Sequence, residues 1–361
     1  MNNNLLNFEE FVDRIKRDIK AFLPLEFSSA EINVAESRKI NDSYLGMTIL
    51  KEGQHISPAI DLETMYRAYQ ESGEITPIFH KIAEIAQTSP DGMSLDAIEN
   101  YEKAKENLFI RVSNAETNKD LMDNVPHETI GDLAVTYHIM VNHDGESMGS
   151  TMITNALLET YGISEEQLKA DAMENSAKIL APSLESMNNV MARMFGLELP
   201  VAGSVPFEKA VEDFNFREEG MFVLTNSAAV NGAAVMFYPE VMEQLGDHAG
   251  VDLFIIPSSV HETILVPDDG VMKRTELESM IRDINANEVS PKDRLSDTLY
   301  HYDSKDHKLE RAVDFEERKE MEHSISRKVE RSSIKDKLKS AEARVNEQMA
   351  PSRPARAQAI E

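Results

Sequence analysis

Ser258, Ser259, His261 and Glu262 stand together just past the apolar run Leu253–Ile256. A hydroxyl beside an imidazole and a carboxylate is the raw material of nucleophilic hydrolysis. In an extended chain Ser259 and His261 point the same way, about 6 to 7 Å apart at Cα, a spacing compatible with Ser–His chemistry that does not specify it. Neither serine sits in a G-x-S-x-G elbow. The competing reading is structural: Pro257 ends the strand and the hydroxyls satisfy turn backbone. A second cluster, His301, Asp303, Asp306 and His307, holds ligand types suited to a hard or borderline cation. His138 with His143 is a third pairing, and His138 would join the serine cluster if both lined one pocket.

Other resemblances to chemical motifs fail on inspection. His261-Glu262-Thr263-Ile264-Leu265 lacks the second histidine of a zincin and reads as strand, not helix. The same four residues occur at His127-Glu128-Thr129-Ile130, but the flanks diverge at once, so chance explains the copy better than a repeat. Asp144-Gly145 through Gly149-Ser150-Thr151 lacks both the spacing and the lysine of a phosphate loop. The chain has no cysteine, which excludes disulfides, thiolate nucleophiles, iron–sulfur clusters and cysteine-ligated zinc. No cofactor is expected.

These groups must be positioned by a chain of 361 residues with 41% hydrophobic and 28% charged residues, enough to build one large core or two modest ones. Leu5, Phe8, Phe11, Val12, Ile15, Ile19 and Phe22 recur at helical spacing and predict an opening helix closed by Pro24. Strands are expected near 27–35, 44–50 and 108–112, and helices over 61–72, after Thr76-Pro77, and over 94–105. Leu133, Val135, Tyr137, Ile139 and Val141 alternate strictly, which predicts a half-buried strand. After a turn at 142–145 three helices are expected. The second is capped by Ser164, and the third carries Leu184, Met187, Val190, Met191 and Met194. Residues 197–220 read as a connection. Strands then follow near 221–224, 233–237, 252–256, 263–266 and 299–302, with a short helix at 239–245 and another capped by Thr275 and Glu278. The pattern is α+β, with mixed or antiparallel sheets and several packed helices.

From about Asp303 the character changes. Met321, Ile325, Val329, Ile334, Leu338 and Val345 are isolated apolar residues at roughly helical spacing among Lys, Arg and Glu, and residues 350–361 hold no core-forming run. The expected organisation is an acidic body over 1–304, with a division near 125/126 left open, and a charged helical tail over 305–361 whose end is disordered. The formal net charge of −27 divides accordingly: 14 Lys+Arg against 12 Asp+Glu from Lys305 onward, and a net of −29 before it. An acidic body repels nucleic acid and anionic membrane, so direct nucleic-acid binding through it is not expected. Its surface could instead mimic DNA phosphates toward a basic partner. The first ten residues lack a signal-peptide pattern and the longest apolar stretches are far too short to span a bilayer, so the expectation is a cytoplasmic protein with no membrane contact.

Seven segments carry a family resemblance: Val125-Pro126-His127-Glu128, Gly131 to Val135, Leu224-Thr225-Asn226, Asn231 to Ala234, Pro257 to Glu262, Leu265 to Gly270, and Val289-Ser290-Pro291 through Tyr300-His301-Tyr302-Asp303. In this order, over about Phe8 to Asp303, the chain resembles a bacterial family known only as domain of unknown function 5688. The resemblance implies no activity and supplies no catalytic residues. Separately, Arg331 to Leu338, followed by a Lys/Glu/Ala helix, is similar to C-terminal tails on relaxases and other proteins of bacterial conjugative elements. That resemblance implies a partner-docking segment presenting Ile334, Leu338 and Val345. The leading expectation is a non-enzymatic, protein-binding accessory protein of a bacterial mobile element. The alternatives are a serine hydrolase built on Ser259, His261 and Glu262, and an acidic DNA mimic.

Overall fold

The first helix, Phe8–Asp18, starts where Asn7 and Glu10 cap each other reciprocally, and it buries Phe11 and Ile15. Together with the helices Leu62–Ser72 and Thr76–Gln87 it shares a core with a three-stranded antiparallel sheet of β1 (Glu31–Lys39), β2 (Asp42–Leu50) and β3 (Ile60–Asp61). Phe11, Ile15, Met47, Ile49 and Ile82 fill this core, and Phe11 stacks on Tyr69 at 5.4 Å.

A second, larger core belongs to two further sheets. One contains β4 (Leu108–Asn114), β5 (His127–Ile130), β6 (Leu133–His143) and β7 (Met148–Met152). The long β6 pairs β4 along one edge and β5, then β7, along the other. The alternation expected of Leu133, Val135, Tyr137 and Ile139 places them in this core beside Leu108, Ile110 and Val112, with Leu168 and Ala172 of the helix Glu165–Ile179. The other sheet contains β8 (Pro182–Ser186), β9 (Phe222–Asn226), β10 (Leu253–Ile256), β11 (Thr263–Pro267), β12 (Tyr300–Asp303) and β13 (Lys308–Arg311), in the order β13-β12-β10-β11-β9-β8. Every pairing in the three sheets is antiparallel, so the fold is α+β with antiparallel sheets.

This computed structural model describes residues 5–52, 57–87, 98, 100–143, 148–199, 201 and 203–348. The chain divides into two compact units at Arg311/Ala312. Residues 308–311, placed with the tail by composition, form the edge strand β13. The first unit carries a net charge of −28 and the second +1.

Several elements differ from expectation for identifiable reasons. Residues 232–237 form a buried 3₁₀ helix, not a strand. A Cβ on Gly232 would come within 2.5 Å of the His261 carbonyl, so the close approach needs glycine, and a short apolar run alone does not separate strand from helix. Leu184 lies in β8, and the helix Met187–Met194 starts only after Ser186, whose hydroxyl accepts the Asn189 N–H. The helix Arg274–Asn287 is capped two residues earlier than Thr275, with Glu276 accepting the Lys273 N–H at 3.2 Å. The segment 197–220 contains the helices Phe207–Asp213 and Phe216–Glu219, and β7 precedes the helices expected after 145. Residues 94–97 and 99 of the helix expected over 94–105, the turn residues 144 and 145, and the terminal segment 350–361 lie outside the described residues, while Tyr101–Ala104 within that range is helical.

The second unit is the helix Ala312–Gln348, 37 residues and roughly 55 Å long at 1.5 Å per residue. Residues 312–323 carry a net −3 and 324–348 a net +3, which complements the helix dipole, and Arg318 pairs Glu322 one turn on at 3.1 Å.

Candidate functional site

Ser258 and Ser259 lie in the loop between β10 and β11, which runs antiparallel to residues 293–296. Val260 N–H donates to the Asp293 carbonyl at 2.8 Å, Leu295 N–H to Ser258 at 3.1 Å, and Ser296 N–H to Pro257 at 3.0 Å. Both serines are buried by this pairing. The Ser259 hydroxyl accepts the backbone N–H of His261 at 3.0 Å, a local turn contact. The imidazole of His261 turns elsewhere: Nδ1 accepts the Asn231 N–H at 3.2 Å and Nε2 lies 3.3 Å from Asp293 Oδ1. A ring whose Nδ1 accepts from backbone carries its proton on Nε2 and donates it to Asp293. Ser259 and His261 therefore form no nucleophile–base pair here, because a loop does not keep the same-side alternation of a strand. Glu262 is exposed.

His301, Asp303, Asp306 and His307 are likewise separated in role. His301 is fully buried, with Nε2 3.1 Å from Asp268 Oδ2 and its ring edge-on to Phe254 at 5.1 Å. Asp303 Oδ1 accepts the N–H groups of Lys305 and Asp306, each at 3.1 Å, closing the β12–β13 turn. His307, at φ 48°, holds its Nδ1 3.2 Å from the Tyr302 hydroxyl. Among the described residues no group of three or more His, Asp or Glu is placed to hold a metal.

In the long helix, Ile334 and Leu338 are each 58% exposed, and Met321 and Ile325 are 64% and 53% exposed. Val345 falls within the helix, but its side chain is outside the described residues. Ile325 and Ile334 are nine residues apart, about two and a half turns at 3.6 residues per turn. The apolar residues therefore form two stripes on opposite sides rather than one face.

The structure also joins residues that carry no local motif. Arg111 Nη2 on β4 donates to Asn231 Oδ1 at 2.8 Å, which links Asp293, His261, Asn231 and Arg111 into one polar chain. Asn231 adopts the left-handed conformation (φ 54°), which asparagine tolerates better than most residues. By register, Arg111, Thr136 and His127 stand in a row across β4, β6 and β5 on the face turned away from the main core. Ser113 and His138 flank that row; both are buried, as is Thr136, whose hydroxyl lies 3.0 Å from His138 Nε2. Three buried atoms here, Arg111 Nε, Ser113 Oγ and His138 Nδ1, have no hydrogen-bond partner among the described residues. Burial lowers the Arg111 guanidinium to about 10, which leaves it cationic at neutral pH. Burial, and then the Arg111 charge, holds His138 well below the ordinary imidazole value, so it is neutral. The available signal in the sequence is one arginine inside the apolar run Leu108-Phe109-Ile110-Arg111-Val112.

Asp132, in the two-residue turn between β5 and β6, gathers four side-chain donors. Ser296 (2.7 Å), Thr298 (3.2 Å) and Asn114 (3.3 Å) reach Oδ2, and the Tyr300 hydroxyl lies 2.7 Å from Oδ1. Gly131 precedes it at φ 61°, and a Cβ there would run into the Tyr300 hydroxyl. Burial first, then the bond to Asp132, raises the Tyr300 pKa above 10.0. Nearby, a groove of about 880 Å³ separates the β1–β2 tip from residues 291–297. Asn41 spans it, donating to the carbonyls of Lys292 (3.0 Å) and Arg294 (2.8 Å) and exchanging hydrogen bonds with Asn118.

These features define an antiparallel α+β protein whose polar residues are organised into two buried networks, with neither a Ser–His pair nor a metal cluster among the described residues. The chain belongs to the family of unknown function DUF5688, whose family model matches residues 8–304. No curated protein and no solved structure matches it. No described helix is long and apolar enough to cross a membrane.

Proposed function

We propose that the protein is a non-enzymatic binding protein that docks on another protein through the helix Ala312–Gln348. The observation that carries this reading is the exposure of Ile334 and Leu338 on a helix long enough to present them far along its axis. Apolar side chains in a charged helix contribute nothing to solubility and become favourable when a partner groove covers them. Support also comes from His261, whose ring nitrogens are already engaged by Asn231 and Asp293. The similarity of Arg331 to Leu338 to tails on relaxases makes a protein of a bacterial mobile element the expected partner, encountered in the cytoplasm. The acidic first unit disfavours nucleic acid as that partner.

Affinity capture from a host carrying such an element tests the proposal, using the full chain, a chain ending at Arg311 and the double variant Ile334→Glu/Leu338→Glu. A partner retained by the full chain and lost from both others is expected. Retention unchanged by both alterations would sink the docking role. Labelling of the wild type by a fluorophosphonate, abolished by Ser259→Ala, would instead favour hydrolysis.

A further inference from the structure

We infer that the chain pairs with a second copy of itself through the apolar surface at the end of the helix Met187–Met194, formed by Met191, Met194, Phe195 and Leu197. Met194 and Phe195 are 81% and 83% exposed, and Met191 and Leu197 are exposed as well. Local geometry groups these side chains and holds them in place. The Gly196 N–H donates to the Arg193 carbonyl at 2.8 Å and the Leu197 N–H to the Ala192 carbonyl at 3.1 Å, the paired bonds of a Schellman stop, with Gly196 in the left-handed region at φ 87°. Phe195 lies one turn past Met191, and the stop folds Leu197 back toward the turn that carries Met191 and Ala192. The four residues are therefore presented together by a closed helix end, and covering them orders little further backbone. They expose roughly 500 Å², so a two-fold pairing buries about 1,000 Å² from them alone, the threshold of a specific interface, to which the rim adds.

The charge pattern selects a second copy as the occupant. From Ser186 to Phe207 the only charged residues are Arg193 and Glu198, and Arg193 pairs with Glu185 of β8, its Nη2 2.7 Å from Glu185 Oε2. A unit with a net charge of −28 thus keeps one stretch almost free of acid. Two like-charged copies approach best where neither presents charge, whereas a basic partner is drawn to carboxylates, which this surface lacks apart from Glu198. A two-fold pairing sets the same patch against itself, so one surface supplies both halves of the interface. Its composition suits that use, because flexible methionine side chains adapt to a facing surface and their sulfur packs favourably on an aromatic edge. The interface is independent of the long helix and stands whether or not that helix docks on a partner.

Sedimentation velocity of the full chain, from low to high micromolar concentration, tests the pairing. A monomer–dimer equilibrium in the micromolar range is expected. Added sodium chloride should tighten it, because salt screens the repulsion between two acidic units and leaves the apolar contact intact. Met194→Gln/Phe195→Gln is expected to weaken the dimer at least tenfold without adding charge, and Ile334→Glu/Leu338→Glu to dimerise as the wild type does. A wild type that stays monomeric throughout, or a dimer unchanged in Met194→Gln/Phe195→Gln, would overturn the assignment. Loss of the dimer in Ile334→Glu/Leu338→Glu, or a dimer that weakens with salt, would overturn it too, by moving the contact to the charged long helix. If Met194→Gln/Phe195→Gln unfolds without cooperativity, Phe195→Ser takes its place, with a severalfold loss expected and an unchanged affinity overturning the interface.

Discussion

Asp132 and Arg111 lie on adjoining parts of the same sheet and treat a charge in opposite ways. Around Asp132 one carboxylate receives hydrogen bonds from Asn114, Ser296, Thr298 and Tyr300, so β5, β6, β12 and the segment before β12 are tied at one point. Around Arg111 a guanidinium, a serine and a histidine each keep an unmatched atom. The contrast separates a polar cluster that holds the fold together from one that the fold tolerates at a cost. Groups of the first kind should destabilise when removed, and groups of the second should not.

The largest expected effect is therefore at Asp132. Asp132→Ala removes the acceptor shared by four side chains, of which Tyr300 and Asn114 keep the Ile130 and Leu295 carbonyls, and should cost about 3 to 5 kcal/mol, read as a lower urea midpoint at unchanged m-value. A loss under about 1 kcal/mol would erase the distinction between the clusters. Tyr300→Phe follows, at about 1 to 2 kcal/mol. The Tyr300 pKa in the fold is raised above its ordinary 10.0, so its contribution is complete below pH 10 and is lost as pH climbs beyond that value. A urea midpoint that falls above pH 10 in the wild type and falls less steeply in Tyr300→Phe would bear this out. On the other side of the comparison, Arg111→Met should raise stability by about 1 kcal/mol, because it removes a buried charge that no described carboxylate balances. A large loss in thermal unfolding would place Arg111 with Asp132 as a structural group. The smallest effect belongs to Ser113→Ala, expected within about 0.5 kcal/mol of the wild type.

The parts of the fold legible in the sequence were those written in local periodicity. The opening helix and the alternating β6 are examples, since each shows its buried face in neighbouring residues. Lys308–Arg311 was not legible, because its strand character comes from pairing with β12 and not from its own charged side chains. The run at Ala233–Phe237 misled because Gly232 must pack against Thr225 and His261, contacts invisible to a window of neighbours. The sites follow the same rule. Ser258, Ser259, His261 and Glu262 attracted notice by adjacency, yet His261 spends its ring on Asn231 and Asp293, which are 30 and 32 residues away. Arg111 meets Asn231 across 120 residues, and Asp132 meets Tyr300 across 168. Chemistry assembled by register across that distance leaves only the odd residue type, an arginine among aliphatics, as its trace.

The six-stranded sheet ends on β13 at one side and β8 at the other. Three of the four residues of β13, Lys308, Glu310 and Arg311, are charged, and β8 opens on Pro182. Both devices discourage a foreign strand from adding to the sheet. Beneath β13 lies β12, whose four residues Tyr300, His301, Tyr302 and Asp303 are all buried while β13 pairs with it. Shortening the chain to residue 304 would bare the backbone edge of that strand and invite self-association, whereas ending it at Arg311 keeps the charged strip in place. Seven residues of unremarkable composition thus decide whether the sheet stays solitary or finds a second copy of itself.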